Sequence, residues 1–324
     1  VSSYVKDEHV RQALSFHSLL VGGSPFATSS IYALIHALER RGGVWFPRGG
    51  TGALIRGLVK LFEELGGRIE LNAPISKITT AGGRVTGVIR HDGEFEAFDT
   101  VASNADIMHT YRELLVDDPR GKAASKALEK KRWSPSLFVI YFGLKAEHPQ
   151  IRHHTICFGP RYRELIGDIY NKDTLSEDFS LYLHNPCATD PGMAPPGGSA
   201  FYVLSVVPNL ETADVDWASE GEAYRDKILK YLEDRYIPNL ARDLVTCRIF
   251  TPDDFTTELN AWNGAAFSLE PILTQSAFFR THNRDDKIPN LYFVGAGTHP
   301  GAGIPGVVGS AKATAALMIP DLQA

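Results

Sequence analysis

Six glycines (295, 297, 301, 303, 306 and 309) stand in the fifteen positions from Gly295 to Gly309, where the chain's 29 glycines in 324 residues would place about one. Glycine has no Cβ, so a ligand can lie directly against the main chain at such positions. The run follows the strand-like Asn290-Leu-Tyr-Phe-Val and leads into a helix expected to open near Gly306, with Ser310, Lys312 and Thr314 in its first turns. A helix N-terminus offers unpaired N–H groups and a positive dipole end to an anion or an electron-rich ring. A flavin pyrimidine, which gains negative charge on reduction, is a group of this kind. The same spacing also suits a glycine-rich turn that holds no ligand. G-x-x-x-x-G-K-[ST] is absent, and although Gly301-Ala-Gly-Ile-Pro-Gly306 has the letters G-x-G-x-x-G, the loop is not read as the dinucleotide fingerprint.

Two further residues could do chemistry beside such a loop. His299 sits within it and could orient a bound ring or handle a proton, or simply pack beside Pro300. Arg48, next to Gly49, could bring positive charge to a cofactor, or face solvent on a turn. No G-x-S-x-G, no H-E-x-x-H and no carboxylate pair at useful spacing appears. The three cysteines, Cys157, Cys187 and Cys247, are far apart and form no C-x-x-C pair, so no metal site and no disulfide framework is expected and a reducing cytoplasm fits. With 33 basic and 38 acidic residues the net charge is −5, the wrong sign for gripping nucleic acid.

The elements that must hold the loop follow from periodicity. With 44% hydrophobic and 22% charged residues the chain is long enough for two domains and too apolar to be disordered. After Gly49-Gly-Thr-Gly52, Leu54, Leu58, Leu61, Phe62 and Leu65 recur at helical spacing up to Gly66-Gly67. Arg68–Leu71, Arg84–Arg90 and Phe98–Ser103, parted by Gly82-Gly83 and Asp92-Gly93, read as an antiparallel meander. From there to about Asp286 come β-like runs at Ser136–Leu144, Phe179–His184 and Ala200–Val207, a helix over 221–236 and a Pro/Gly loop over 191–198. This is the pattern of an antiparallel sheet with helices, inserted into the first domain. Its aromatics, Phe138, Tyr141, Phe142, Tyr182, Phe201 and Tyr202, are expected mostly in the sheet core, with some lining a substrate tunnel.

The longest apolar runs, Leu137–Leu144, Phe201–Val207 and Gly306–Ile319, are too short to span a bilayer. Phe26, Ile31, Leu34, Ile35 and Leu38, flanked by Arg40 and Arg41, make an apolar stripe that fits an interfacial helix or core packing. Lys122, Lys126, Lys130, Lys131 and Arg132 make a basic stretch that fits anionic lipid headgroups or a solvated helix face.

The run from Asn290 through Gly295-Ala-Gly-Thr-His-Pro-Gly-Ala-Gly-Ile-Pro-Gly-Val-Val-Gly-Ser310 closely resembles the C-terminal signature of the bacterial-type carotenoid and phytoene desaturases, in the flavin amine oxidase superfamily. The likeness continues through Trp45–Leu54, Leu71–Ile78, Ala102–Asp106 and Phe158–Leu165, and so covers essentially the whole chain. It implies a mixed α/β fold: a Rossmann-like FAD-binding domain, incomplete here, with an inserted substrate domain of antiparallel sheet and helices. The implied segments are 1–44 (substrate or membrane-facing helices), 45–107 (part of the FAD domain), 108–286 (substrate domain) and 287–324 (the rest of the FAD domain).

The resemblance also assigns residues. Gly295, Ala296 and Gly297 would face the ribityl and pyrophosphate part of FAD. Gly303, Ile304, Pro305, Gly306 and Val307 would meet the isoalloxazine, and Ile75 would contact the adenine through its backbone. The implied activity is FAD-dependent dehydrogenation of phytoene toward lycopene, with oxygen or quinone taking the electrons, by a peripheral enzyme on the cytoplasmic face of the membrane. Two alternatives stay open: a related carotenoid oxidoreductase (acting on a different carotene, or an isomerase or oxygenase), and a non-catalytic carotene-binding fragment that lacks a complete FAD site. The family's opening strand and G-x-G-x-x-G turn have no counterpart, and Gly22-Gly23 and Gly42-Gly43 follow no such strand. The chain therefore reads as the C-terminal two-thirds of a longer one.

Overall fold

The structure, a computed structural model, describes residues 1–171 and 174–323. Its elements in chain order are α1 (Glu8–Ser15), α2 (Ala33–Gly42), α3 (Gly50–Glu64), β1 (Ile75–Ala81), β2 (Arg84–Arg90), β3 (Phe95–Ala97), β4 (Val101–Ser103) and α4 (Ile107–His109). Then come α5 (Pro119–Leu128), β5 (Ser136–Leu144), β6 (His154–Cys157), α6 (Tyr162–Asn171), β7 (Leu181–His184), β8 (Ser199–Val207) and α7 (Trp217–Arg235). The last are α8 (Leu240–Asp243), β9 (Leu244–Phe250), α9 (Pro252–Leu259), β10 (Leu291–Phe293) and α10 (Ile304–Gln323). Two compact units form, one from residues 1–42, 71–135 and 255–324, the other from 43–70 and 136–254. They divide the chain at other places than the segments 1–44, 45–107, 108–286 and 287–324.

In the second unit a five-stranded antiparallel sheet runs in the order β6-β7-β8-β5-β9. Strand alternation sends Phe138, Ile140, Phe142 and Leu144 of β5 to one face, where each is at most 3% exposed, while Tyr141 between them is 48% exposed. Phe201 and Val203 of β8 join the covered face. Helix α7, capped by Asp216 accepting from the Ala218 amide, lays Trp217, Tyr224, Ile228 and Leu232 on this core. Gly221 lets the helix come close, since a Cβ there would lie 3.2 Å from the Ile249 side chain. The opposite face carries Tyr141, Tyr202 and Tyr182 in a linked row, their ring centroids about 6 Å apart. The expected aromatic core is thus split by the period-2 alternation: the phenylalanines pack under α7 and the tyrosines stand on the open face.

Helix α3 also belongs to the second unit. Gly49 and Gly50, at φ 80° and 73°, make the turn that starts it, and the Gly49 amide donates to Asp190 Oδ2 at 2.7 Å. The stripe at its helical spacing forms as expected, but Leu58, Leu61 and Leu65 are 50%, 51% and 79% exposed.

In the first unit β1, β2 and β3 form the antiparallel meander. Two details differ from the sequence reading. Arg68–Leu71 is not a strand: Leu71 is 81% exposed, and β-propensity alone does not form a ladder there. The run over 98–103 does not complete the meander, because β3 takes that place and β4 leaves it to pair in parallel with β10. Asn290 ties the two sheets together: its amide bonds the Val85 N–H and C=O at 2.8 and 2.9 Å and the Asp99 carbonyl at 2.7 Å. The core beneath holds Ile107, Met108, Leu115, Ile288, Leu291 and Phe293, each at most 2% exposed. Among the described residues no helix is long and apolar enough to cross a membrane.

Candidate functional site

The glycine loop leaves the end of β10 in the first unit and enters α10, which begins at Ile304, two residues earlier than expected. Side chains tie the two elements: Thr314 Oγ1 donates to the Phe293 carbonyl at 2.8 Å, and the Gly295 amide donates to Ser310 Oγ at 3.1 Å. The buried Asn283 amide donates to His299 O at 3.0 Å, and lies 3.1 Å from both Ser310 Oγ and Thr314 Oγ1. Arg280, 3% exposed, supports the loop from below, donating to the carbonyls of Ala296 at 2.5 Å and Leu269 at 3.2 Å. Burial pulls its guanidinium down to about 10, because no carboxylate offsets the lost hydration.

The loop and the end of β4 wall a cavity of about 320 Å³, at the small end of the range for ligand sites. Gly295, Ala296, Gly297 and Val307 line it with Ser103, Asn104, Asp106 and Ser268, and Phe255 and Leu259 add an apolar side. Asp106 stands half-buried at the start of α4, accepting from the amides of Met108 at 2.8 Å and His109 at 3.3 Å. Burial nevertheless pushes its carboxyl up to about 6, outweighing the backbone hydrogen bonds that hold it down.

The glycines of the loop are glycine for different reasons. At Gly295 (φ 107°) a Cβ would meet Asn104 Nδ2 at 2.3 Å, and at Gly306 the Gly301 carbonyl at 2.5 Å. At Gly297 it would crowd Ile107 and Ser268 at about 3.3 Å. These three satisfy packing within the protein. Gly303 differs, because at φ 90° it faces nothing within 4 Å, so its missing side chain leaves room for a group from outside the chain. It directly precedes Ile304, Pro305 and Gly306 in the first turn, where the N–H groups of Ile304 and Gly306 have no intrahelical acceptor and Pro305 carries none. An open glycine cradle at a helix start fits a flat, electron-rich ring.

Gly303, Ile304, Pro305 and Gly306 lie outside this cavity's lining, and the other expected residues do not join it either. His299 is exposed and lies outside the lining, its main chain held by Thr281 and Asn283. Ile75 opens the edge strand β1, 37% exposed, paired with Arg90. Arg48 is exposed and belongs to the second unit, whereas the loop belongs to the first. Asp106, Ser268, Arg280 and Asn283 were not among the expected site residues. Asp106 had a readable signal, a helix-capping residue after a strand. Arg280 and Asn283, sixteen residues from the loop atoms they bind, had none.

The family model described as flavin containing amine oxidoreductase matches residues 1–319. The chain is 62% identical over 322 residues to a lycopene-forming phytoene desaturase of Pantoea ananas, covering 99% of this chain and 65% of that protein. It is 63% identical over 323 residues to a protein of the same description from Pseudescherichia vulneris, covering 100% and 66%. The chain thus spans just under two thirds of the length of the curated relatives it matches. An oxidoreductase from Methanosarcina mazei superposes on all of this chain and 66% of its own, with a TM-score of 0.62 at 17% identity, a likeness of fold.

Proposed function

We propose that this chain, which belongs to the flavin-containing amine oxidoreductase family, supplies the greater part of an FAD-dependent desaturase that dehydrogenates phytoene stepwise toward lycopene. The observation that carries this is the open cradle at Gly303 at the start of α10, in a chain 62–63% identical to relatives described as lycopene-forming phytoene desaturases. FAD, when bound, would supply the acceptor for the hydride that leaves one substrate carbon as the double bond forms, the proton from the adjacent carbon passing to a base or to water. Gly303, Ile304, Pro305, Gly306 and Val307 would hold its ring, and Gly295, Ala296 and Gly297 its ribityl and pyrophosphate part.

The protein's own contribution is placement. Ser310, Thr314 and Asn283 lock α10 to β10, so the first-turn amides keep a fixed position toward a ring on which negative charge develops. Arg280 fixes the Ala296 carbonyl and thereby the path of the loop. Substrate C–H bonds of this kind are barely acidic, so holding a long apolar chain and excluding water outweigh any dedicated base. The tyrosine face of the second unit, with Leu204 half-buried beside Tyr202, supports a polyene-binding role.

A peripheral seat on the cytoplasmic face of the membrane belongs to the same proposal. Leu34 and Leu38 of α2 are 56% and 66% exposed, Ile31 in the turn before it is 59% exposed, and Arg40 and Arg41 end α2. Lys122 and Lys126 on α5 are exposed, but Arg132 is taken by an ion pair with the buried Glu270 at 2.8 Å. Oxygen or a quinone would receive the electrons. The test is an anaerobic addition of phytoene to the full-length flavoprotein. Bleaching of the flavin, with recolouring on oxygen or quinone, is the expected result, and a flavin that no carotene reduces would refute the proposal.

A further inference from the structure

Strand β6 is the edge of the five-stranded sheet, and its register sets His154 opposite His184 of β7. Opposed residues project from the same face, so the two imidazoles meet, and His153 joins them from the start of the strand. The three ring centroids lie 4.4 to 5.6 Å apart, and one ring nitrogen from each falls within 4.8 Å of the others.

A hydroxyl holds one nitrogen of each ring. Nδ1 of His153 is 2.5 Å from Thr189 Oγ1. Nδ1 of His154 and of His184 lie 2.6 and 3.1 Å from one and the same hydroxyl, that of Tyr182. The Nε2 of His153 is buried and has no hydrogen-bond partner. Metal-binding histidines usually have their second ring nitrogen held by a hydrogen bond of this kind.

From this geometry we infer that His153, His154 and His184 form a site for one divalent transition-metal ion of the zinc class, bound through one ring nitrogen of each with a fourth position left to water. Zn–N bonds of about 2.0–2.1 Å put tetrahedral ligands about 3.4 Å apart, so small ring rotations bring the three nitrogens into place. The ion fastens the edge strand to β7 and, through Thr189, to the turn that follows. This goes beyond the desaturase proposal and does not depend on it.

A second grouping, His17, His36 and Glu39, serves as the internal control, since His17 Nε2 is already paired with Glu39 at 3.2 Å. The experiment titrates untagged, chelator-dialysed full chain with Zn²⁺, and with Co²⁺ as a spectroscopic probe. About one equivalent should bind at micromolar free metal, with the visible absorption of tetrahedral Co²⁺. His154→Gln, at an exposed position that leaves the core intact, should weaken binding at least tenfold. Tyr182→Phe should weaken it ~10- to 100-fold through the lost second-sphere bonds. His36→Gln should change nothing. The inference is overturned if the wild-type chain binds no metal at micromolar concentration, if His154→Gln binds as tightly, or if His36→Gln alone abolishes binding.

Discussion

Replacing Asp106 with Asn should stabilise the chain above pH 6 and leave it little changed near pH 4. The Asp106 carboxyl sits at about 6, against an ordinary 3.8, chiefly because burial disfavours its charge. The folded state therefore holds that proton more tightly than the unfolded one. Stability from this group is complete below pH 4 and is lost as pH rises from 3.8 through 6. A shift of about two pK steps corresponds to roughly 3 kcal/mol lost at neutral pH, at ~1.4 kcal/mol each. Asparagine keeps the acceptor oxygen for the Met108 and His109 amides and carries no charge to bury. Urea unfolding of both proteins at pH 4, 5, 6 and 7.5 measures the effect. The variant's advantage should grow from near zero to about 2–3 kcal/mol, with its midpoint near pH 5. A pH-independent difference, or a variant less stable than wild type at pH 7.5, would refute the account of Asp106 as a charge held against burial.

Two glycines of one loop should respond differently to a small side chain. Gly303→Val points its methyls into the open cradle and should empty the full-length protein of flavin at a cost of about 1–3 kcal/mol for the positive φ, read by flavin absorbance per chain. Undiminished flavin content would remove this loop from the cofactor site. Gly306→Ala meets the Gly301 carbonyl instead, and should lower stability by about 1–3 kcal/mol, seen in the urea midpoint. Arg280→Met keeps the bulk but leaves the carbonyls of Ala296 and Leu269 without their donor, so a loss of roughly 2–4 kcal/mol is expected; an unchanged midpoint would show that the guanidinium does not hold the loop.

Much of the local structure was legible. The glycine run announced both the loop and the helix behind it, and Arg84–Arg90 and Ser136–Leu144 form strands with the bounds their residues suggested. The apolar period after Gly49 produced α3. Short strands were less visible: His154–Cys157 and Leu244–Phe250 are ordered by their ladders with β7 and β5 more than by composition. Conversely, Arg68–Leu71 has strand composition but forms no strand.

The sequence by itself determined which backbone conformations were available and to which family the glycine loop belongs, because steric rules for Gly, Pro and alternating side chains act between near neighbours along the chain. Only the tertiary structure decided that Gly303 faces open space while Gly295 and Gly306 face protein. It also decided that Asp106 is buried enough to shift its titration, that Arg280 reaches back sixteen residues to the loop, and that His184 comes to lie beside His153 and His154. Burial and proximity depend on every segment that packs around a group, and those segments are distant in sequence.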